Sequence, residues 1–115
     1  MLRKSAFPEK YRTGFGIDIH RLVSGRNFRL GGVDVEHTKG PLAHSDGDVL
    51  IHSLCDALLG AAGMRDIGYY FPDTSEKYRN YDSILMLKEV VGRLKKEKYK
   101  IVNIDATILL EKPKI

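Results

Sequence analysis

A chain of 115 residues holds one domain with a modest core, and proteins of that size often gain stability by self-association. Its 43% hydrophobic and 30% charged residues exclude a disordered chain and are typical of a soluble α+β or α/β protein. The net charge of +4 suits an anionic ligand, from a phosphorylated metabolite to nucleic acid. The single cysteine excludes an intrachain disulfide framework, and no apolar run reaches transmembrane length or resembles a signal peptide.

The first predicted elements are short strands. Residues 15–20 alternate apolar side chains with small or polar ones, which is the period of a half-buried strand. Residues 27–35 predict two further strands around a tight turn at Gly31 and Gly32. Residues 36–42 contain a glycine and a proline and predict a loop.

Residues 45–60 predict the first long helix, with Ser45 or Asp46 as its cap and Gly60 as its end. Its apolar stripe consists of Leu50, Ile51, Leu54, Leu58 and Leu59. A separate polar face, on which residues recur at intervals of four, carries Asp48, His52 and Asp56. Cys55 lies in an apolar stretch of this helix, so we expect a buried thiol rather than a nucleophile.

The second half of the chain predicts a loop, a helix and a strand. Residues 61–79, rich in turn-forming side chains, predict an ordered loop. Residues 82–96 predict a helix capped by Asp82, and the cations between residues 93 and 100 are interpreted as its solvated end. Its buried face consists of Ile84, Met86, Leu87, Val90, Val91 and Leu94. Residues 101–110 predict a strand, and the end of the chain soon after it suggests a fragment.

Asp18 and His20 are the first candidate metal ligands. They lie two residues apart on a predicted strand, so their side chains point to the same face. A carboxylate beside an imidazole is a natural ligand pair for zinc or a similar ion. The Asp-x-His tripeptide alone is a weak motif, and its alternative interpretation is a surface pair on a half-exposed strand.

His44, Ser45 and His52 form a richer group around the start of the predicted helix. Free N–H groups and the helix dipole favour an anion there, so His44 and Ser45 predict a phosphate cradle. His52, two turns into the helix, would face Asp18 and His20 if the helix packs across the strand. Those three ligands would leave a fourth position open, as catalytic zinc requires. The alternatives are a simple cap at Ser45 and a hydrogen-bonded core histidine at position 52.

Two loop motifs are less specific. Residues 66–68 and 71–75 combine glycine or proline with carboxylates and hydroxyls, which suits polyol hydroxyls or a metal-bound phosphate but equally suits turns. Gly14 and Gly16 lack the third glycine of a dinucleotide-binding fingerprint, so we discount that function.

Taken in order, these tracts resemble the 2-C-methyl-D-erythritol 2,4-cyclodiphosphate synthase family of the non-mevalonate isoprenoid route. The resemblance runs from about residue 14 to residue 115 with the family's order and spacing. The tracts that carry it are Gly16-Ile17-Asp18-Ile19-His20, Gly31-Gly32-Val33, Leu42-Ala43-His44-Ser45-Asp46-Gly47-Asp48-Val49, His52, Asp56-Ala57-Leu58-Leu59-Gly60-Ala61, Asp66-Ile67-Gly68 and Phe71-Pro72-Asp73-Thr74.

The resemblance implies an α+β fold in which a small mixed β-sheet is packed by helices on one face. It implies a homotrimer with active sites between adjacent subunits. Residues 13–115 would be a single catalytic domain, preceded by a basic leader over residues 1–12 that has no counterpart in the family. The family continues with a C-terminal helix and strands, missing here, which complete the nucleotide pocket and supply a glutamate for a second metal.

The implied activity is that of a phosphorus–oxygen lyase. It cyclises 4-diphosphocytidyl-2-C-methyl-D-erythritol 2-phosphate to 2-C-methyl-D-erythritol 2,4-cyclodiphosphate and releases CMP. The implied cofactors are zinc or another divalent transition metal, with magnesium or manganese as a second ion in the complete protein. The implied partner is this small-molecule cytidine diphosphate substrate, with neither nucleic acid nor membrane.

The resemblance also implies residue roles. Asp18, His20 and His52 would be the metal ligands, and His44 would stabilise the transition state. Substrate contacts are implied for Asp18, His20, His44, Ser45, Asp66, Ile67, Gly68, Phe71, Pro72, Asp73, Thr74, Ser75, Leu110, Lys114 and Ile115.

Two other functions stay open. One is an inactive or zinc-binding-only fragment of such an enzyme, and the other is a small basic metal-binding module for nucleic acid. The open fourth ligand position and the lack of a cysteine set argue against structural zinc. The composition predicts a cytoplasmic protein, or one of the plastid stroma if the organism has plastids.

Overall fold

The computed structural model describes residues 11–115, so the predicted leader over residues 1–12 lies almost wholly outside the described residues. Four short strands precede the helices along the chain. The strands are β1 (Leu22–Ser24), β2 (Phe28–Leu30), β3 (Val33–Val35) and β4 (Lys39–Pro41). The helices are α1 (Val49–Ala61), α2 (Ile67–Tyr70), a 3-10 turn (Glu76–Tyr78) and α3 (Ser83–Lys96). No helix in the described part of the chain is long and apolar enough to cross a membrane.

The predicted α+β class is confirmed, although the strands form two antiparallel ladders rather than one mixed sheet. In the first ladder β1 pairs with β4, and in the second β2 pairs with β3. The second ladder is the predicted hairpin. Its turn residues Gly31 and Gly32 have φ of 63° and 79°, a left-handed conformation at two successive positions that favours glycine.

Three predictions about strands were wrong. Residues 15–20 and 101–110 are not paired into either ladder, whereas residues 36–42, predicted as a loop, contain β4. Alternation along a segment indicates which side chains share a face, but only a neighbouring backbone makes a strand. Gly40 allows β4 to lie close to the preceding loop, because a Cβ there would be 2.1 Å from the Asn27 carbonyl oxygen.

Helix α1 begins later than the sequence predicted. Its cap is Asp48, whose carboxylate accepts a hydrogen bond from Ile51 N at 3.1 Å, and neither Ser45 nor Asp46 caps it. The same carboxylate accepts from the backbone N–H groups of Gly31 at 2.9 Å and Gly32 at 2.6 Å. Asp48 is fully buried and therefore ties the hairpin turn to the start of the helix.

The region between the two long helices is more regular than predicted. Residues 61–79 contain α2 and the 3-10 turn, and α1 ends at Ala61, one residue beyond the predicted stop. Helix α3 confirms its prediction. Asp82 caps it by accepting a hydrogen bond from Ile84 N at 2.9 Å, and its last turn is basic.

The core lies between α1 and α3. Its buried residues are Ile51, Cys55, Leu58, Leu59, Phe71, Met86, Val90 and Leu94. The predicted stripe of α1 is displaced, since Leu50 and Leu54 are only partly buried while Cys55 and His52 take buried positions. The burial of His52 disagrees with its assignment to a polar face but agrees with the alternative interpretation of a hydrogen-bonded core histidine.

Cys55 is expected to be inert in the folded chain. Burial raises the pKa of its thiol to about 12, and the carboxylates of Asp56 and Asp48 add to the effect. Since the thiolate is the nucleophile, we expect iodoacetamide to modify Cys55 at least about a hundredfold more slowly in buffer at pH 8 than in urea. Mass spectrometry of timed samples measures the two rates. Equal rates would show that the thiol is accessible.

Candidate metal centre

The segment of residues 14–20 lies directly against helix α1. A Cβ at Gly14 would be 1.8 Å from the Ala57 carbonyl oxygen, and one at Gly16 would be 1.8 Å from the Ser53 carbonyl oxygen. These two glycines therefore serve close packing of backbone on a helix, which explains a motif that the sequence left without a function. The close approach brings the residues that follow them to the first turn of α1.

Alternation along this segment gives it two different faces. Gly16, Asp18 and His20 are partly buried, whereas Phe15, Ile17 and Ile19 are 82%, 67% and 83% exposed. The prediction that Asp18 and His20 share a face therefore agrees with the burial pattern. The expected burial of the apolar set does not occur among the described residues.

Asp18, His20 and His52 converge in one cluster. One ligand atom from each residue lies within 4.8 Å of the other two. Asp18 Oδ2 is 3.0 Å from His20 Nε2 and 3.1 Å from His52 Nδ1. The two imidazole rings meet edge to face, with their centroids 5.7 Å apart. His52 stands in the first turn of α1 rather than two turns into it.

The electrostatics of the cluster favour a carboxylate at Asp18. Burial by itself would raise its pKa, but the contacts and charges of His20 and His52 outweigh burial and hold the pKa well below its usual range. An ionised carboxylate between two imidazoles is a suitable ligand set for a divalent transition metal.

The donor atoms fit such an ion. His20 Nε2 is buried and has no well-formed hydrogen bond within residues 11–115, although it lies 3.0 Å from the Asp18 carboxylate. A buried imidazole nitrogen without a partner is costly unless something else satisfies it. A cation bound by all three residues would satisfy it and would separate the crowded ligand atoms.

Ser45 is buried in the turn that precedes α1, four residues before the helix begins. Its hydroxyl lies 3.2 Å from His52 Nε2 and accepts a hydrogen bond from Gly47 N at 3.3 Å. Since α1 starts at Val49, the predicted position of Ser45 at the helix N-terminus was wrong. Its hydroxyl is next to the metal cluster instead.

His44 is joined to one of the predicted substrate loops. Its Nε2 lies 2.8 Å from the Ser75 carbonyl oxygen, and its own carbonyl accepts from Asn80 N at 2.7 Å. With Arg26 and Arg79 it lines an open polar pocket of about 420 Å³. The structure thus brings His44 to the end of the 71–75 loop.

The other predicted contacts are dispersed. Asp66 caps α2 by accepting from Tyr69 N at 3.0 Å, and Ile67 N donates to Asp56 Oδ1 at 2.9 Å. Burial is the main reason that the pKa of Asp56 is raised, with further contributions from the Asp66 and Asp18 carboxylates, although the hydrogen bond from Ile67 opposes the change. Among the other predicted contacts, Phe71 is buried in the core, Leu110 is partly buried, and Lys114 and Ile115 are exposed at the end of the described chain.

Two polar residues near the cluster, Ser83 and Arg29, were not predicted from the sequence, and Asp46 was predicted only as a possible helix cap. Ser83 Oγ lies 2.8 Å from His52 Nε2, and its hydroxyl also contacts the Asp46 carboxylate. Arg29 Nε lies 3.8 Å from Asp46 Oδ2. The sequence offered only a capping signal at residues 82–83, because partners separated by more than 30 residues leave no local pattern.

Comparison with known proteins gives consistent results. A family model described as the YgbB family matches residues 11–115. A 2-C-methyl-D-erythritol 2,4-cyclodiphosphate synthase of Bacteroides thetaiotaomicron is 58% identical over 106 residues, which are 92% of this chain and 67% of that protein. The synthase of Fusobacterium nucleatum is 52% identical over 104 residues, or 90% of this chain and 65% of that protein.

Solved structures agree with the sequence relatives. A 2C-methyl-D-erythritol-2,4-cyclodiphosphate synthase in a form bound to CDP superposes with a TM-score of 0.70 and 44% identity. The match covers 76% of this chain and 58% of that one. The chain therefore spans about two thirds of the length of the curated relatives and somewhat less of the solved structure.

Proposed function

This chain belongs to the YgbB family, and on that premise we propose that it cyclises 4-diphosphocytidyl-2-C-methyl-D-erythritol 2-phosphate to 2-C-methyl-D-erythritol 2,4-cyclodiphosphate and releases CMP. The relatives named above carry the name of the synthase, and one solved relative holds CDP, which suits a cytidine nucleotide substrate. The observation that carries the proposal is the convergence of Asp18, His20 and His52 into a three-ligand cluster.

The reaction joins two anionic groups of a single substrate. An oxygen of the 2-phosphate attacks the β-phosphorus and forms the new P–O bond. The bond between the β-phosphorus and the bridging oxygen breaks, and CMP leaves with that oxygen. Bringing two phosphates together requires fixed orientation and compensating positive charge, and it needs no covalent enzyme intermediate.

The proposed metal ligands would hold an ion that supplies this positive charge. Asp18 contributes one negative charge and the two histidines contribute neutral nitrogens, so the set retains net positive charge when it holds a divalent ion. Zinc bound there would act as a Lewis acid on a phosphate oxygen. Three protein ligands leave a coordination position for substrate, as catalytic zinc sites do.

His44 and Ser45 are proposed to position the phosphates. The Ser75 carbonyl can only accept, so His44 Nε2 donates to it and the ring is held beside the 71–75 loop. Ser45 lies 3.2 Å from His52 Nε2, and its hydroxyl is proposed to contact a substrate phosphate. Substrate contacts by residues 66–68, 71–75 and 110–115 are part of the same proposal.

We further propose that residues 13–115 form one catalytic domain that assembles as a homotrimer. Phe15, Ile17 and Ile19 present an apolar, unpaired edge beside the metal cluster, and Val102 and Leu109 are 72% and 94% exposed. Exposed apolar side chains of this kind mark interaction surfaces. We also propose that the active sites lie between subunits. The complete protein would bind magnesium or manganese as a second ion and would be cytoplasmic.

The test is CMP release from the cytidine substrate by the zinc- and magnesium-loaded chain, with its mass in solution measured in parallel. We expect CMP in proportion to the cyclic product, and none from a His20→Ala chain. A zinc-binding-only fragment is the second candidate, because the chain spans 67% of its curated relative. That candidate predicts no release until the C-terminal third of a relative is joined to the chain. Inactivity of the extended, metal-loaded chain would refute the catalytic proposal.

A further inference from the structure

His52 is held at both ring nitrogens. Its Nδ1 faces Asp18 Oδ2 at 3.1 Å, and its Nε2 lies 2.8 Å from Ser83 Oγ. Ser83 is fully buried at the start of α3. Its hydroxyl contacts Asp46 Oδ1, and its backbone N–H donates to Asp46 Oδ2 at 2.8 Å. The three residues Asp46, Ser83 and His52 therefore form a buried chain of contacts that ends at the metal cluster.

The protons along this chain can be assigned from donor and acceptor capacity. A hydroxyl oxygen and a carboxylate oxygen in contact need a proton between them, and only the Ser83 hydroxyl can supply it. Ser83 Oγ has then used its single donor, so it must accept from His52. The proton of the neutral imidazole is consequently on Nε2. Ser45 Oγ, at 3.2 Å, is a second oxygen near that N–H.

This assignment leaves Nδ1 of His52 as a bare lone pair. It faces the ionised Asp18 carboxylate at 3.1 Å, and two acceptors at that distance repel each other unless a cation lies between them. Metal-binding histidines commonly direct their other ring N–H to a fixed acceptor, which sets the tautomer and the ring orientation. Ser83 is in the position to do this for His52.

We propose that Ser83, oriented by Asp46, is a positioning residue that holds the His52 proton on Nε2 and so presents Nδ1 to the metal ion. The inference rests on the metal site of the proposed function. It adds a residue on α3, 31 positions from His52, to the three ligands. Arg29, with its Nε 3.8 Å from Asp46 Oδ2, places a positive charge behind the same carboxylate.

The tautomer can be measured in the zinc-loaded chain. Long-range ¹H–¹⁵N correlation spectra of that chain, labelled on histidine and kept near pH 8.5, show which ring nitrogen of His52 carries the proton. At that pH an ordinary imidazole is about 99% neutral. A His52→Asn chain identifies the signals of His52. We expect the Nε2–H pattern, and the Nδ1–H pattern would overturn the proposal even if no variant of Ser83 folds.

Zinc affinity tests the consequence. We expect Ser83→Ala to lose the tautomer preference and to weaken the zinc Kd by about 10–100-fold, the usual effect of removing such a partner. Ser53→Ala is the matched control. Ser53 is the neighbour of His52 in the sequence, and among the described residues its hydroxyl donates to the Leu50 carbonyl and not to the cluster. Ser83→Thr retains the hydroxyl and should retain the Nε2–H pattern.

The outcomes separate the inference from the function on which it rests. A wild-type chain that binds no zinc refutes the metal site itself. A chain that binds zinc with equal affinity in the Ser83→Ala and Ser53→Ala forms keeps the metal site but refutes the role of Ser83. Weaker binding with an unchanged Nε2–H signal in Ser83→Ala would also refute it, because the tautomer would then be set elsewhere.

Discussion

Alanine in place of Asp18 or His52 is expected to remove stoichiometric zinc from the chain and to abolish CMP release. Each residue is one of the three proposed metal ligands, and their ligand atoms lie within 4.8 Å of one another. Loss of a residue that merely supports a ligand costs about 10–100-fold in metal affinity, so loss of the ligand itself should cost more than that. Bound zinc is measured by elemental analysis after dialysis, and the Kd by competition with a chelating dye.

His37→Ala is the matched control for this experiment. It also removes an imidazole, but among the described residues His37 belongs to no candidate metal cluster, and its ring lies 6.1 Å from that of Phe28 between centroids. The control should retain the zinc content and affinity of the parent chain. Equal zinc in the His37→Ala, Asp18→Ala and His52→Ala chains would show that the ion, if present, binds elsewhere.

The sequence predicted well those elements whose signals are local. Helix α3 follows from its capping Asp82 and its periodic apolar face, and the β2–β3 hairpin follows from two adjacent glycines between short apolar runs. In these cases the interactions that define the element lie within a few residues along the chain. The prediction of each element therefore needed no knowledge of the rest of the fold.

The start of α1 shows where local reasoning stops. Asp46 has the side chain of a cap and lies close to the helix, but its carboxylate accepts hydrogen bonds from Ser83, 37 residues away. Asp48 takes over the cap and also binds Gly31 and Gly32. Both roles depend on contacts between distant segments, so residue type and spacing cannot rank one aspartate above the other.

The candidate site was also predictable only in part. Asp18 and His20 share a face because side chains alternate, and that was predictable. Their meeting with His52 depends on Gly14 and Gly16, which allow the backbone to touch α1, and the sequence showed these glycines only as an incomplete nucleotide motif. Tertiary packing, rather than spacing, turns a weak pair and a lone histidine into one cluster.

Asp48→Ala is expected to lower the free energy of unfolding by about 3–5 kcal/mol. Its carboxylate is fully buried and accepts three backbone hydrogen bonds, at 3.1, 2.9 and 2.6 Å. Removing a helix cap costs about 1 kcal/mol, and leaving the two partly buried glycine N–H groups without an acceptor should cost about 1–2 kcal/mol each, the lower part of the usual range. The loss should also release the Gly31–Gly32 turn from the helix start that carries His52. Urea unfolding followed by circular dichroism measures the change.

Asp82→Ala provides the comparison, because Asp82 caps α3 through one hydrogen bond, to Ile84 N at 2.9 Å, and its side chain is 41% exposed. It should cost only about 1 kcal/mol. The difference between the two variants reports mainly the bonds from Asp48 to the hairpin, since the cap is common to both and Asp82 adds a partly exposed ion pair with Arg29 at 3.7 Å. Equal losses would mean that the Gly31 and Gly32 N–H groups find other acceptors when the carboxylate is gone, and that Asp48 acts as a helix cap alone.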